Sequence, residues 1–173
     1  MSKNECEFTP QTSTVDAVMA LKVFVQERIN EGQIVAVICL DVKGAFDAAW
    51  SLGILTSLRN LRCPRNLYKL CVSYFNERTA YITLNNDIVQ SKISKCCPQD
   101  LASGPGFWNL QYNSLLNLEY TKNTKVVAYA EDLIILVKGT TQVEVETYAN
   151  IETQTVEKWA RNNKIDFKDQ KRK

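Results

Sequence analysis

The sequence predicts an α+β fold, an antiparallel sheet with helices packed on one face. Three observations predict it. The apolar run Ile34-Val35-Ala36-Val37-Ile38-Cys39-Leu40 stops abruptly at an acid, Asp41. Two further apolar runs, Val126 to Tyr129 and Leu133 to Val137, are separated only by Ala130-Glu131-Asp132, which reads as a hairpin with acids at its tip. Segments of helical period stand singly or in pairs between the strands, giving the order αβααββαββα. The 173 residues suit one domain or a piece of a larger one. The 45% hydrophobic and 23% charged residues are ordinary for a globular protein and argue against wholesale disorder.

Each element has its local reason. Ser13 and Asp16 have the S-x-x-D spacing of a helix start, Val15, Val18, Met19, Val25 and Ile29 recur at helical spacing, and Gly32 ends the run. The 34–40 run is short, continuous and β-rich, which predicts a strand buried on both faces. A loop follows through Gly44, and helices are expected over 54–61 and 64–75, with Pro64 placed to start the second. Thr79 to Leu84 has strand composition, Asn85-Asn86-Asp87 signals a turn, and 88–94 supplies the return strand. Residues 98–106 carry two prolines and two glycines and predict a structured loop leading into a helix over 107–118. A last helix is expected over 142–162, followed by a lysine-rich tail. No repeat, low-complexity tract or linker interrupts the chain.

Composition narrows the chemistry. Histidine is absent, which excludes Ser-His-Asp hydrolysis, Cys-His proteolysis, His-ligated zinc and HExxH metalloproteases. The net charge of +2 and pI of about 8.2 permit a nucleic-acid partner without arguing for one, since such domains usually exceed a pI of about 9. None of the six cysteines forms a CxxC pair, so reduced and mostly buried thiols of an intracellular protein are expected. No apolar run reaches the roughly 18 residues of a membrane span, and Met1 to Pro10 lacks a signal-peptide core. The expected location is the cytoplasm or nucleus, away from any membrane.

The acids carry the chemistry that remains. Asp41 closes a strand, with Asp47 just after it, and Glu131 and Asp132 tip the hairpin. If the strand pairs beside the hairpin, these carboxylates converge at one edge of the sheet. Clustered carboxylates repel, and a divalent cation removes that repulsion. Oxygen-only ligation suits Mg²⁺ or Mn²⁺, and a pair of such ions about 4 Å apart drives phosphoryl transfer in polymerases and nucleases. Loop and turn acids facing water are the other reading.

At these residues the sequence resembles a family. Asp41-Val42-Lys43-Gly44-Ala45-Phe46-Asp47 resembles the D-x-x-x-A-F-D block of reverse transcriptases, and Tyr129-Ala130-Glu131-Asp132 resembles their YADD block with one substitution. Between them Lys95-Cys96-Cys97-Pro98-Gln99-Asp100-Leu101-Ala102-Ser103-Gly104-Pro105 resembles K-G-C-P-Q-G-S-x-x-G-P. Upstream, 8–17 resembles the segment before the first block in non-LTR retrotransposon enzymes. The resemblance implies a polymerase palm over 34–173 and the end of the fingers over 1–33, with thumb and endonuclease absent. It implies that Asp41 binds both of two ions, Mg²⁺ or Mn²⁺, and that Glu131 and Asp132 complete the site. Phe46 matches a steric gate against a ribose 2′-OH. Pro98, Gln99 and Asp100 would lie against incoming nucleotide and template, and Lys43 and Gly44 would shape the triphosphate approach through their backbone. Lys171 matches a lysine close to the leaving pyrophosphate. The implied partners are an RNA template, a DNA primer, deoxynucleotides, and the fingers and thumb of a parent enzyme.

The departures fall on the chemistry. Glu131 stands for Asp, and the extra methylene moves the carboxylate by about an ångström, enough to cost about a hundredfold in rate. Asp100 and Cys96 each stand where the family has Gly, and Leu101 stands for Ser. Three expectations follow: an RNA-directed DNA polymerase palm active only when joined to its missing parts, a retroelement remnant that catalyses nothing, or a nucleic-acid-binding remnant. Inactivity of the isolated chain is the expected behaviour.

Overall fold

The computed structural model describes residues 14–85, 87–97, 103–129 and 131–168. Its elements are α1 Thr14–Asn30, β1 Ile34–Asp41, α2 Ala45–Ala48, α3 Ser51–Asn60, α4 Arg65–Phe75, β2 Thr79–Leu84, β3 Asp87–Lys92, α5 Gly104–Leu116, β4 Thr124–Tyr129, β5 Asp132–Gly139 and α6 Gln142–Asn163. They divide into two compact units, one from 1–45 and 112–173, the other from 46–111. Both boundaries fall inside helices, α2 and α5.

The first unit is built on an antiparallel sheet in the order β1-β5-β4. β1 pairs with β5 from Ile34 opposite Gly139 to Asp41 opposite Asp132, and β4 pairs with β5 from Thr124 opposite Val137 to Tyr129 opposite Asp132. Strand alternation puts Leu133, Ile135 and Val137 on one face, and all three are fully buried. That face is covered by α6, which packs on β5 and β1 and contributes the buried Val156, Trp159 and Ala160. The Trp159 indole donates to Ser114 Oγ at 2.9 Å and meets the Tyr112 ring edge-on at 6.1 Å. The buried Glu152 carboxylate is satisfied through Oε1, which accepts from Thr121 N at 2.8 Å, Thr121 Oγ1 at 2.7 Å and Thr124 Oγ1 at 2.8 Å. These bonds tie the middle of α6 to the start of β4.

The other face of the sheet carries Val37, Cys39 and Asp41 of β1 on the same side as Lys125 of β4. α1 crosses it, touching β1 and β4, and the Lys125 ammonium sits 5.5 Å from the centre of the Phe24 ring. Gly32, at φ +72°, turns the chain out of α1 into β1, a conformation that glycine takes without steric cost. Val37 and Cys39 remain exposed. The strand expected to be buried on both faces is instead one of the two outer strands of the three-stranded sheet among the described residues, and its face carrying Val37 and Cys39 stays open. Among the described thiols only Cys71 and Cys97 are buried, Cys63 and Cys96 are half-buried, and Cys39 points out of this face, so the expectation of mostly buried thiols is met only in part.

The second unit packs α3 against α4. Its interior holds Ile54, Leu58, Cys71, Phe75 and Trp108. The Phe107 ring lies 4.9 Å from Phe75 and 5.7 Å from Tyr74. The Gln111 side chain accepts from Trp50 N at 2.8 Å and fixes the entry to α3. The hairpin β2–β3 pairs from Thr79 opposite Lys92 to Leu84 opposite Asp87, and Tyr81, Ile82, Leu84, Ile88 and Val89 all face solvent. Two helix starts and one whole element differ most from expectation; α3 starts at Ser51, three residues before the expected 54. α5 starts at Gly104, so residues read as loop form its first turn, where the amide that Pro105 lacks has no intrahelical partner to lose. The single turn α2 inside the D-x-x-x-A-F-D block was not anticipated. Among the described residues no helix is long and apolar enough to cross a membrane.

Candidate functional site

The ends of β1 and β5 assemble the acids. Directly opposed residues of an antiparallel pair project to the same face, so the register of Asp41 opposite Asp132 sets two carboxylates side by side. Glu131 precedes Asp132 in the turn, and its carbonyl accepts from Val42 N at 3.2 Å, which draws the turn onto the end of β1. The Tyr112 hydroxyl donates to the same carbonyl at 3.5 Å. Burial, then the Asp41 and Glu131 charges, push the Asp132 carboxyl above its ordinary range, with Lys168 pulling the other way. The acids therefore feel one another, as convergent carboxylates must.

The chain after α6 closes the other side of Asp41. α6 stops at Lys164, which takes the left-handed conformation at φ +57°, and Ile165 N donates back to Ala160 O at 2.9 Å. The following residues run antiparallel to the β1 exit. Val42 bridges Phe167, Lys43 N donates to Asp166 O at 2.8 Å, and Lys168 N donates to Asp41 O at 2.8 Å. This short ladder brings the Lys168 ammonium to 2.7 Å from Asp41 Oδ2. The Asp41 hydrogen bond, then the charges of Asp41, Glu131 and Asp132, raise the Lys168 amine above its usual range against some desolvation. Asp41 Oδ1 is buried without a hydrogen-bond partner.

These residues fit a divalent cation of a particular kind. Among the described residues no three carboxylates or thiols close around one ion. Magnesium does not require such a cage, since it keeps several waters and is held by one or two carboxylates together with substrate phosphates. The facing pair Asp41 and Asp132, with one buried and unsatisfied carboxylate oxygen, matches that donor set. Asp41 and Asp132, with Glu131 next in the chain, are the residues that could hold such an ion.

The remaining expected residues are distributed as follows. The Lys43 amide is committed to Asp166 O, so Lys43 can meet a phosphate with its exposed ammonium rather than through its backbone as expected. Gly44 takes φ +58° in the turn after Lys43. Phe46 lies in α2, in the second unit, with its ring 6.3 Å from Trp108 and tilted 40°. Pro98, Gln99, Asp100 and Lys171 lie outside the described residues. Cys96 is described and takes φ +90°, in the position where the resembled block has glycine. Sequence reasoning missed Lys168. The tail was visibly basic, but only the ladder from Val42 to Phe167 selects which lysine reaches Asp41.

The family model for reverse transcriptase (RNA-dependent DNA polymerase) matches residues 1–173. The chain belongs to the reverse transcriptase family. Its curated relatives include the retrovirus-related Pol polyprotein from type-1 retrotransposable element R1 of Bradysia coprophila, 30% identical over 162 residues. They also include a putative 115 kDa protein in type-1 retrotransposable element R1DM of Drosophila melanogaster, 33% identical over 121 residues. The matches cover 93% and 69% of this chain but 16% and 12% of those proteins, so this reverse transcriptase chain spans a small part of their length. R1 elements are non-LTR retrotransposons, in agreement with the resemblance read from the motifs. Among solved structures, telomerase of Candida albicans in complex with a fragment of telomeric RNA superposes with a TM-score of 0.65 at 11% identity, over 92% of this chain and 32% of that one. Apo telomerase of Candida tropicalis, truncated from the C-terminal domain, gives 0.64 at 11% identity over 93% and 36%. At that identity the likeness establishes the fold, an α+β palm-type sheet.

Proposed function

We propose that this chain carries the nucleotidyl-transfer centre of an RNA-directed DNA polymerase, and that the chain alone does not synthesise DNA. The observation that carries the proposal is the register pairing of Asp41 with Asp132 at the open ends of β1 and β5, with Glu131 beside them. In this reading 34–173 acts as palm and 1–33 as the end of the fingers. Two divalent ions, Mg²⁺ or Mn²⁺, would supply charge stabilisation to the transferring phosphoryl group. Asp41 would bind both, and Glu131 and Asp132 would complete the centre. Phe46 would exclude a ribose 2′-OH. Pro98, Gln99 and Asp100 would face template and nucleotide, Gly44 would shape the triphosphate approach, and Lys43 and Lys171 would meet the phosphates. An RNA template and DNA primer would be held by fingers and thumb of a parent enzyme, because positioning the primer end is much of phosphoryl-transfer catalysis. The free thiols suit the reducing cytoplasm or nucleus.

A second reading, a retroelement remnant without synthesis, is favoured by Cys96 at φ +90°, a backbone still shaped for the glycine that the family places there. The test is primer extension on an RNA template after grafting 1–173 into a full-length relative. The unrepaired graft is expected to be inactive with Mg²⁺ and weakly active with Mn²⁺, which is less strict about ligand placement. Glu131→Asp with Asp100→Gly is expected to restore part of the synthesis, and neither change alone suffices. No synthesis after repair favours the remnant, and salt-sensitive RNA binding without synthesis makes it a binding remnant.

A further inference from the structure

We propose that in the chain alone the Lys168 ammonium occupies one of the two cation positions at Asp41, so that the isolated chain binds a single divalent ion and the second position of the proposed centre opens only when Lys168 is displaced. The inference rests on the reading of Asp41 as a metal ligand. Two ions sharing an aspartate are held best with one on each of its oxygens. Here Oδ2 is held by Lys168 Nζ at 2.7 Å, the short distance of a charge-assisted bond. Only Oδ1 is left, buried and without a partner, on the carboxylate that faces Asp132.

The lysine is held there by backbone as well as charge. Three successive points tie 166–168 to 41–43: Lys43 N to Asp166 O, the Val42–Phe167 bridge, and Lys168 N to Asp41 O. A freely mobile surface lysine gives up an ion pair cheaply, and exposed pairs contribute little. A tethered one returns at high effective concentration each time it leaves. The side chains of Lys168 and Asp41 are 56% and 39% exposed, so the pair is accessible to a competing ion rather than sealed. The amine also adds a positive charge next to any cation arriving on Oδ1, and at about 5 Å in water-like dielectric that repulsion alone corresponds to roughly tenfold in affinity. Substitution by a neutral side chain therefore both frees Oδ2 and removes the repulsion.

The measurement is Mn²⁺ titration of the 173-residue chain, followed by the electron paramagnetic resonance signal of free Mn²⁺, which gives ion number and dissociation constant without any catalytic assay. The wild type is expected to bind one ion, and Lys168→Met two, with the first bound about tenfold more tightly. Lys168→Arg retains the charge and is expected to stay at one ion. Far-ultraviolet circular dichroism and thermal melting of both variants establish that each is folded. Two ions bound by the wild type, or identical number and affinity in wild type and Lys168→Met, would overturn the inference while leaving the metal-centre reading standing. No Mn²⁺ bound by any form would overturn both.

Discussion

Replacing Cys96 by glycine should stabilise the chain, although the change deletes a half-buried side chain. Cys96 sits at φ +90°, where the Cβ of an L-residue crowds its neighbouring carbonyl at a cost of about 1–2 kcal/mol. The backbone cannot relax, because three bonds fix it. Cys96 N donates to Ala49 O at 2.8 Å, Cys97 N to Phe46 O at 2.9 Å, and the Cys96 carbonyl accepts from Arg78 Nη1 at 2.7 Å. Glycine relieves the strain but adds freedom to the unfolded chain, worth about 0.4–1 kcal/mol in the other direction. The balance is a gain of about 0.5–1 kcal/mol, or about 1–4 °C in melting temperature for a protein of this size. Cys96→Ala is the control, since it removes the thiol and keeps the Cβ, and it should show no gain. Urea unfolding with an unchanged slope is the assay. A glycine variant no more stable than the alanine variant would refute the assignment of strain.

Three other outcomes follow from the packing and the titration directions. Gly139→Ala should destabilise by about 1–3 kcal/mol, because a Cβ there would lie 2.8 Å from Val145 Cγ2 and 3.3 Å from Val145 N, at the joint of β5 and α6; an unchanged urea midpoint would contradict that close approach. Cys97 should resist alkylation in the folded chain, since burial, then the neighbouring Cys96, push its thiol up to about 11, leaving about a thousandth as thiolate at pH 8; peptide mass spectrometry should find exposed Cys39 modified well before it, and equal rates would count against the buried placement. Glu144 accepts from Thr140 N and Thr140 Oγ1 ahead of α6, bonds that hold its carboxyl below the usual range. Its contribution is thus present above the unfolded carboxyl pKa and lost as pH falls through the folded one, so Glu144→Gln should lower the melting temperature near neutral pH and match the wild type in strong acid.

The acids were legible because their positions are local in sequence. An apolar run ending at Asp41 and a hairpin tipped by Glu131-Asp132 each announce an element, and pairing the two needs only the rule that short apolar strands assemble. The exposure of Val37 and Cys39 was hidden, since an edge strand and a central one share the same composition and differ only in how many strands the sheet contains. The division into two units was hidden for a related reason, as its boundaries lie inside α2 and α5 and leave no linker to read. Lys168 was hidden most completely. It lies 127 residues from Asp41, among other lysines without periodicity, and only the three-point ladder at the β1 exit sets which one arrives.

If nucleotidyl transfer takes place at the Asp41 carboxylate facing Asp132, as proposed, synthesis depends on that charge. Asp41→Asn in the graft that also carries Glu131→Asp and Asp100→Gly tests it most directly, since the amide keeps the shape and removes the charge. RNA-templated primer extension should fall to background with either Mg²⁺ or Mn²⁺, while melting shows the protein still folded. Extension at the level of the repaired graft with Asp41 intact would contradict the account.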